Sequence, residues 1–212
     1  MRTKFITFEG AEACGKSTQL ERLHARLVGA GHSVTVTREP GGTQLGEAVR
    51  NLLKHAPEGR GMCSEAELLL FSASRAELVH KVIGPALQKG GWVLSDRFYD
   101  STTIYQGLAR GLGEEPVKWL NAFVVRNIHP GLTLILDLSV DEAQRRLRQR
   151  SLPGEPFDRM EAQTLDFFIS VRSGYCQLAK KEPNRVRLID ASGTLDEVTA
   201  RIWKEVSDVF QL

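Results

Sequence analysis

The sequence predicts an α/β protein built on a parallel sheet of about five strands. Three observations lead there. Strand-type apolar segments alternate with amphipathic helical patterns along the chain, without an internal repeat or low-complexity linker. The first strand signal (Phe5, Ile6, Phe8) runs straight into Gly10-x-x-x-x-Gly15-Lys16-Ser17 and then into a helical pattern. Finally, Leu132 to Leu138 is nearly unbroken apolar sequence, as expected for a parallel strand covered on both faces.

After the glycine loop, Leu20, Leu23 and Leu27 mark one face of a helix that ends around Gly29 to Gly31. Val34 and Val36 give a short strand, stopped by Thr37-Arg38-Glu39-Pro40-Gly41-Gly42, where Pro40 and two glycines break regular structure. Leu45, Val49, Leu52 and Leu53 fit a second short helix, and residues 55–63 read as a loop. A long helical region follows from about Ser64 to Lys89, with Pro85 inside it to kink or divide it. Gly90-Gly91 closes that region, and Trp92-Val93-Leu94 is a buried strand ending at Ser95-Asp96-Arg97. Pro116 opens a helix bearing Val117, Leu120, Phe123 and Val124. Ser139 with Glu142 predicts a capping box ahead of Ala143 and Leu147. Residues 148–160 interrupt the pattern with Pro153, Gly154 and Pro156 among charges. An amphipathic helix then runs from about Ala162 to Lys181, with Phe168, Val171, Tyr175 and Leu178 on one stripe. Val186 to Ile189 is the last strand, and Thr194 with Glu197 caps a final helix carrying Val198, Ile202, Val206 and Val209.

At 212 residues, with 25% charged and 42% hydrophobic residues, the chain fits one globular domain spanning 1–212. A net charge of +2 and the lack of an extended basic run argue against a nucleic-acid scaffold. Cys14, Cys63 and Cys176 are odd in number and lack metal-ligand spacing, which suits reduced thiols in the cytoplasm. Residues 1–20 hold no secretory apolar core, and no apolar run approaches the length of a membrane span, so no membrane partner is expected. His24, His32, His55, His80 and His129 form no ligand cluster.

The loop at residues 10–17 is a P-loop in its proper context. Glycines at 10 and 15 let the backbone wrap an anion, and the following helix N-terminus favours negative charge. Lys16 is expected to reach the β/γ-phosphates and Ser17 to offer its hydroxyl to Mg²⁺. Ligands in parallel sheets gather at the carboxyl ends of the strands. Those ends carry Glu12 and Lys16, then Arg38 and Glu39, then Asp96 and Arg97. A single anion on the P-loop does not call for two further arginines, so Arg38 and Arg97 suggest a second phosphate site facing the first. The alternative is that each is a surface arginine paired with a neighbouring acid. Phe71 and Arg75 share a helix face, where a ring and a guanidinium could hold a nucleobase; a core Phe beside a solvated Arg is the plainer alternative. Arg146, Arg148, Arg150 and Arg159 surround the broken segment at about 148–160. It reads either as a flap that places a cation on a transferring phosphoryl group, or as an RNA-binding or solvated loop. Asp96, after a buried strand, could hold Mg²⁺ through water, with Asp137 the weaker candidate.

These residues resemble bacterial thymidylate kinase across nearly the whole chain. The matching stretches are F8-E-G-A-E-A-C-G-K-S-T18, T37-R-E-P-G-G-T43, L70-F-S-A-S-R75, S95-D-R-F98, S101-T-T-I-Y-Q-G107 and D158-R-M-E161. The resemblance implies a P-loop nucleoside monophosphate kinase fold with strand order 2-3-1-4-5, helices on both faces, and a homodimer. It also implies transfer of the γ-phosphoryl group of ATP to dTMP with Mg²⁺, in dTTP biosynthesis. By the same resemblance, Gly10, Ala11, Glu12, Ala13, Cys14, Gly15, Lys16, Ser17 and Thr18 would hold ATP. Arg38 and Arg97 would hold the dTMP phosphate. Phe71 would stack on thymine with Arg75 at its edge, and Ser101, Tyr105 and Gln106 would line the sugar and base pocket. Tyr105 would crowd a 2′-hydroxyl, and Glu12 would sit near the acceptor sugar's 3′-hydroxyl. Ala13 occupies the place where one group of the family carries its phosphate-clamping arginine. The sequence therefore resembles the group in which the flap supplies it, with Arg150 ahead of Arg148 and Arg159. Lys16, Arg97, Arg150, Glu12 and Asp96 are then the catalytic set. Three departures stand out: Ala13-Cys14 replaces a more usual Gly-Ala pair, Leu108-Ala109-Arg110 replaces a glycine run, and the flap is longer. The first makes Cys14 a candidate target for thiol reagents. A different monophosphate acceptor, or a nucleotide-binding switch or nucleic-acid-associated ATPase, would keep the fold and change the partner.

Overall fold

The computed structural model describes residues 2–150 and 158–212. Five strands, β1 (Phe5–Glu9), β2 (Val34–Arg38), β3 (Trp92–Asp96), β4 (Leu132–Asp137) and β5 (Val186–Asp190), form one parallel sheet in the order β2-β3-β1-β4-β5. The strand order is the one that the resemblance implies.

Strand alternation sorts the core. Ile6, Phe8, Leu94, Leu134 and Leu136 point to one face, where they meet Leu20, Leu23 and Leu27 of α1 (Lys16–Gly29) and Val198, Ile202 and Val206 of α9 (Leu195–Phe210). Phe5 and Val93 point to the other face. There they pack on Leu78 of α3 (Ser64–Leu78) and Val124 and Val125 of α6 (Glu114–Val125). Ile135 and Val186 continue that face under Phe168, Val171 and Tyr175 of α8 (Leu165–Lys181). The register sets Arg38 beside Asp96, and Asp96 beside Phe8. The carboxyl ends of β2, β3 and β1 therefore finish level with one another, and the loops that leave them meet.

The helices follow the periodicity with instructive differences. The short helix α2 (Gln44–Lys54) is capped by Thr43, whose hydroxyl accepts from Gly46 N–H at 3.0 Å. The long helical region is continuous: a π-helical turn, Val79–Ile83, joins α3 to α4 (Gly84–Gln88), and Gly84 N–H donates to the carbonyl of Val79. That widened turn absorbs the missing donor and bulky ring of Pro85. Helix α6 starts two residues before Pro116. Its Phe123, expected on the core stripe, is 69% exposed and stacks on Trp119, 67% exposed, with ring centroids 5.6 Å apart. In α7 (Val140–Arg150), Ser139 accepts from Glu142 N–H, but the Glu142 carboxylate turns to Arg145 and Arg146 instead of completing the box. The box of Thr194 and Glu197 is complete. Helix α8 begins at Leu165, capped by Thr164. The helical stretch Tyr99–Ala109 was not expected; it comprises α5 (Tyr99–Thr102) and a π-helical segment (Thr103–Ala109). Its Thr-Thr-Ile run and Gly107 obscure helical periodicity.

Candidate active site

At the level ends of β1, β2 and β3 lies a cavity of about 380 Å³. Its first wall is the loop after β1. Gly10 has φ +129° and runs so close to β4 that a Cβ there would meet the Leu136 carbonyl oxygen at 2.6 Å. Gly15, φ +96°, leads into α1, so the helix's unpaired N–H groups face the loop. Lys16 folds over the loop and donates to the carbonyls of Gly10 (3.2 Å) and Ala11 (2.7 Å). Ser17 Oγ donates to Asp96 Oδ2 at 2.7 Å, so the two groups expected at a Mg²⁺ ion are already neighbours. Asp137, the weaker candidate, is engaged elsewhere, in an ion pair with Arg172. Cys14 is 2% exposed and packed in the core, with its Sγ 3.7 Å from Lys16 Nζ. Burial thus runs against the expectation that Cys14 is a target for thiol reagents.

A further wall, from the ends of β2 and β3, carries Arg38 and Arg97. Both of Arg38's bonds run to the Glu47 carboxylate, at 3.0 Å each. Gly42 N–H also donates to Glu47; this bond and the arginine hold its carboxyl below the usual range. Arg97 occupies a left-handed backbone conformation, φ +72°, which costs a non-glycine residue about 1–3 kcal/mol. Its guanidinium is gripped from several sides: Nη2 donates to Glu12 Oε1 (2.7 Å) and Tyr105 Oη (3.3 Å), and Nη1 to Ser101 Oγ (3.0 Å). Each expected phosphate-binding cation of the described residues therefore has an internal partner that an anion could replace. Arg50, which sequence reasoning missed, adds another cation to this wall and bonds the Pro40 carbonyl at 3.0 Å. Its only sequence signal is the three-residue spacing from Glu47 on α2.

Phe71, Ser101, Thr102, Tyr105 and Gln106 form the less charged end of the cavity. Gln106 is fixed by Glu67, to which its Nε2 donates at 2.7 Å. Arg75 lies beneath this end, 1% exposed, and neither of the expected extremes describes it. It donates to Glu39 (2.6 Å), Thr102 (2.9 Å) and Asn121 (3.2 Å). Burial raises the Glu39 carboxyl against the opposing pull of Arg75. Glu39 Oε1 has no partner among the described residues, although it belongs to a side chain lining the cavity.

Residues 151–157 of the expected flap lie outside the described residues. Of the three arginines considered for the clamping role, Arg150 lines the cavity and pairs with Glu161. Arg159 turns inward to the Leu53 carbonyl (2.7 Å) and the Glu67 carboxylate. Arg148 is exposed on α7. Lys54 and Asp158 tie the far side of the segment to α2 at 2.7 Å.

Sequence reasoning also missed Glu9 and Tyr175, both buried beneath Arg97. Glu9 Oε1 accepts from Phe98 N–H (2.8 Å), and Oε2 from Ser101 Oγ (2.6 Å) and Tyr175 Oη (2.8 Å). Burial first, and then the neighbouring Asp100, push the Glu9 carboxyl up to about 7, against Arg97, Ser101 and Tyr175. Burial likewise raises the Tyr105 and Tyr175 hydroxyls, which remain neutral donors. A cavity lined by a P-loop, by Arg38 and Arg97 from two other strand ends, and by Phe71 and Tyr105 has cations enough for two phosphorylated groups. What its described residues supply is position and positive charge.

Comparison with known proteins gives a consistent answer. Residues 8–202 match the family model described as thymidylate kinase. The chain is 46% identical over 210 residues to a thymidylate kinase of Syntrophotalea carbinolica, covering 98% of this chain and 97% of that protein. It is 47% identical over 205 residues to one of Deinococcus radiodurans, covering 96% of each. A crystal structure of thymidylate kinase from Ehrlichia chaffeensis superposes with a TM-score of 0.75 at 35% identity, over 96% of this chain and 97% of that one.

Proposed function

The chain belongs to the thymidylate kinase family, and from that premise we propose that it transfers the γ-phosphoryl group of ATP to the 5′-phosphate of dTMP, giving dTDP and ADP on the route to dTTP. The observation that supports this reading most is that Lys16, Arg38 and Arg97 line one cavity together with the bonded pair Ser17 and Asp96. Donor phosphates would lie on the loop from Gly10 to Thr18, and the acceptor phosphate between the two arginines. The attacking atom is a phosphate oxygen already ionised at neutral pH, so no strong general base is required. The protein's share is to hold the two groups in line and to neutralise charge as it spreads over the transferring oxygens.

On this reading each of these pairs is a placeholder. Lys16 leaves the loop carbonyls for the β/γ-phosphates, and Arg97 leaves Glu12 for the acceptor. Arg150 leaves Glu161 to clamp the transferring group. Phe71 stacks on the thymine, Ser101, Tyr105 and Gln106 close the sugar and base pocket, and Arg75 sets its edge from below. Mg²⁺ fits the donor set of Ser17 and, through water, Asp96, since hard oxygen ligands suit it and it keeps most of its waters. It would supply charge neutralisation on the β- and γ-oxygens.

The exposed stack of Trp119 and Phe123 on α6 supports a second copy of the chain as partner, since paired aromatics of this exposure mark protein interfaces. A cytoplasmic location agrees with three free cysteines and with the lack, among the described residues, of a helix long and apolar enough to cross a membrane. The test is ADP release with ATP and Mg²⁺ and each of dTMP, dUMP, dCMP, dGMP and UMP in turn. The reading expects dTMP to be preferred; a rate with dTMP no higher than background hydrolysis would refute it.

A further inference from the structure

Glu9 stands at the last position of β1, one residue before the P-loop, and is 0% exposed. A carboxylate there needs a reason, because burying one without compensation is costly. The structure shows three donors converging on it: Phe98 N–H, the Ser101 hydroxyl and the Tyr175 hydroxyl. Two of these, Ser101 and Tyr175, also contact Arg97, accepting from its Nη1 at 3.0 and 3.4 Å. The third belongs to the residue after Arg97, whose left-handed backbone must be held from both sides.

We infer that Glu9 is a positioning residue for the acceptor phosphate, fixing the Arg97 guanidinium through Phe98, Ser101 and Tyr175, and that it does so only as a carboxylate. As a carboxylate it accepts from both hydroxyls, which leaves their lone pairs turned toward Arg97. Protonated, it becomes a donor itself, the hydroxyl orientations must rearrange, and the negative charge beneath the guanidinium is gone. The charged and titratable groups around it are Arg97 from the end of β3, Asp100 from α5 and Tyr175 from α8. Glu12 and Tyr105 close the shell round Arg97, and Arg185 neutralises Asp100 at 2.7 Å. With burial holding the carboxyl near 7, the change falls inside the working pH range.

The inference rests on dTMP being the acceptor, and the experiment separates the two claims. Initial rates of the wild type, Glu9→Gln and Tyr175→Phe are compared between about pH 6 and about pH 8, varying dTMP and ATP separately. The titration of dTMP itself is common to all three and cancels in their ratios. The ratio of KM for dTMP in Glu9→Gln to that in the wild type is expected to rise from near unity at about pH 6 to about tenfold at about pH 8, while KM for ATP stays within about twofold. Tyr175→Phe removes a bond that favours the charged carboxyl, so its transition is expected at higher pH than the wild type's. A wild type that turns over dTMP but gives a flat ratio would overturn the inference and leave the kinase reading intact. No turnover of dTMP by the wild type would overturn both. If Glu9→Gln does not fold, Tyr175→Phe decides: an unmoved transition rejects the role of Glu9.

Discussion

Arg97 carries three constraints at once: a left-handed backbone, a half-buried guanidinium, and bonds to Glu12, Ser101 and Tyr105. Such strain survives only where the surroundings over-determine it, and here they do so from β1, α5 and α8. Glu9 bears part of the cost. Its folded carboxyl titrates near 7 against an ordinary value of 4.5, so the folded state holds this proton more tightly than the unfolded chain. Its contribution to stability is therefore complete below the unfolded value and is lost as pH rises through the folded one. Denaturant midpoints should show this: the wild type is expected to lose stability relative to Glu9→Gln between about pH 5 and about pH 8, whereas parallel curves would remove the titration from Glu9. Arg150 sits at the same scale, lining the cavity while paired with Glu161. As the clamp on the transferring group, its replacement by Ala should lower kcat about 10³-fold, with circular dichroism unchanged. A near wild-type rate would pass the role to another arginine of the segment.

Among the elements, the P-loop depends on one close approach of backbone to backbone. Gly10→Ala would place a methyl 2.6 Å from the Leu136 carbonyl oxygen at a φ of +129°, so the loop must move away from β4. Calorimetric titration with ATP and Mg²⁺ is expected to show at least about tenfold weaker binding, and retention of wild-type affinity would contradict the assigned geometry. Helix α6 makes a different prediction. Replacing Trp119 and Phe123 together by Glu should convert a dimer to a monomer in sedimentation velocity with little change in fold, since both side chains already face outward. A wild type that sediments as a monomer would remove the dimer from the account. The π-helical turn ahead of Pro85 shows how a local rule is met by a local adjustment: the proline does not divide the helix, because a wider turn upstream accommodates it.

For the whole molecule, legibility followed the range of the interaction. All five strands were readable, because a parallel sheet covered on both faces leaves continuous apolar runs such as Leu132 to Leu136. That Lys16, Ser17, Arg38, Asp96 and Arg97 share one cavity was readable, because each ends or follows a strand at the carboxyl edge of the sheet. Glu9 and Tyr175 were not. They lie 166 residues apart and meet only after β1 and α8 have packed, and in sequence each looks like an ordinary strand end or helix stripe. Phe123 misled for the same reason in reverse, since helical spacing alone cannot tell a core face from an exposed apolar one. The Tyr99–Ala109 helix, which brings Ser101, Tyr105 and Gln106 to the cavity, is held by packing against α8 and α6 rather than by propensity. The folded molecule brings Lys16 after β1, Arg38 of β2 and Arg97 after β3 to one cavity, and the proposed reaction is transfer from a donor on the first to an acceptor on the other two. The direct measurement is to follow γ-³²P-labelled ATP with dTMP and Mg²⁺ and to separate the labelled products. Label recovered in dTDP, equal to the ADP formed and lost together with it in Arg97→Ala, is the expected result; label released as inorganic phosphate at the same rate with or without dTMP would contradict it.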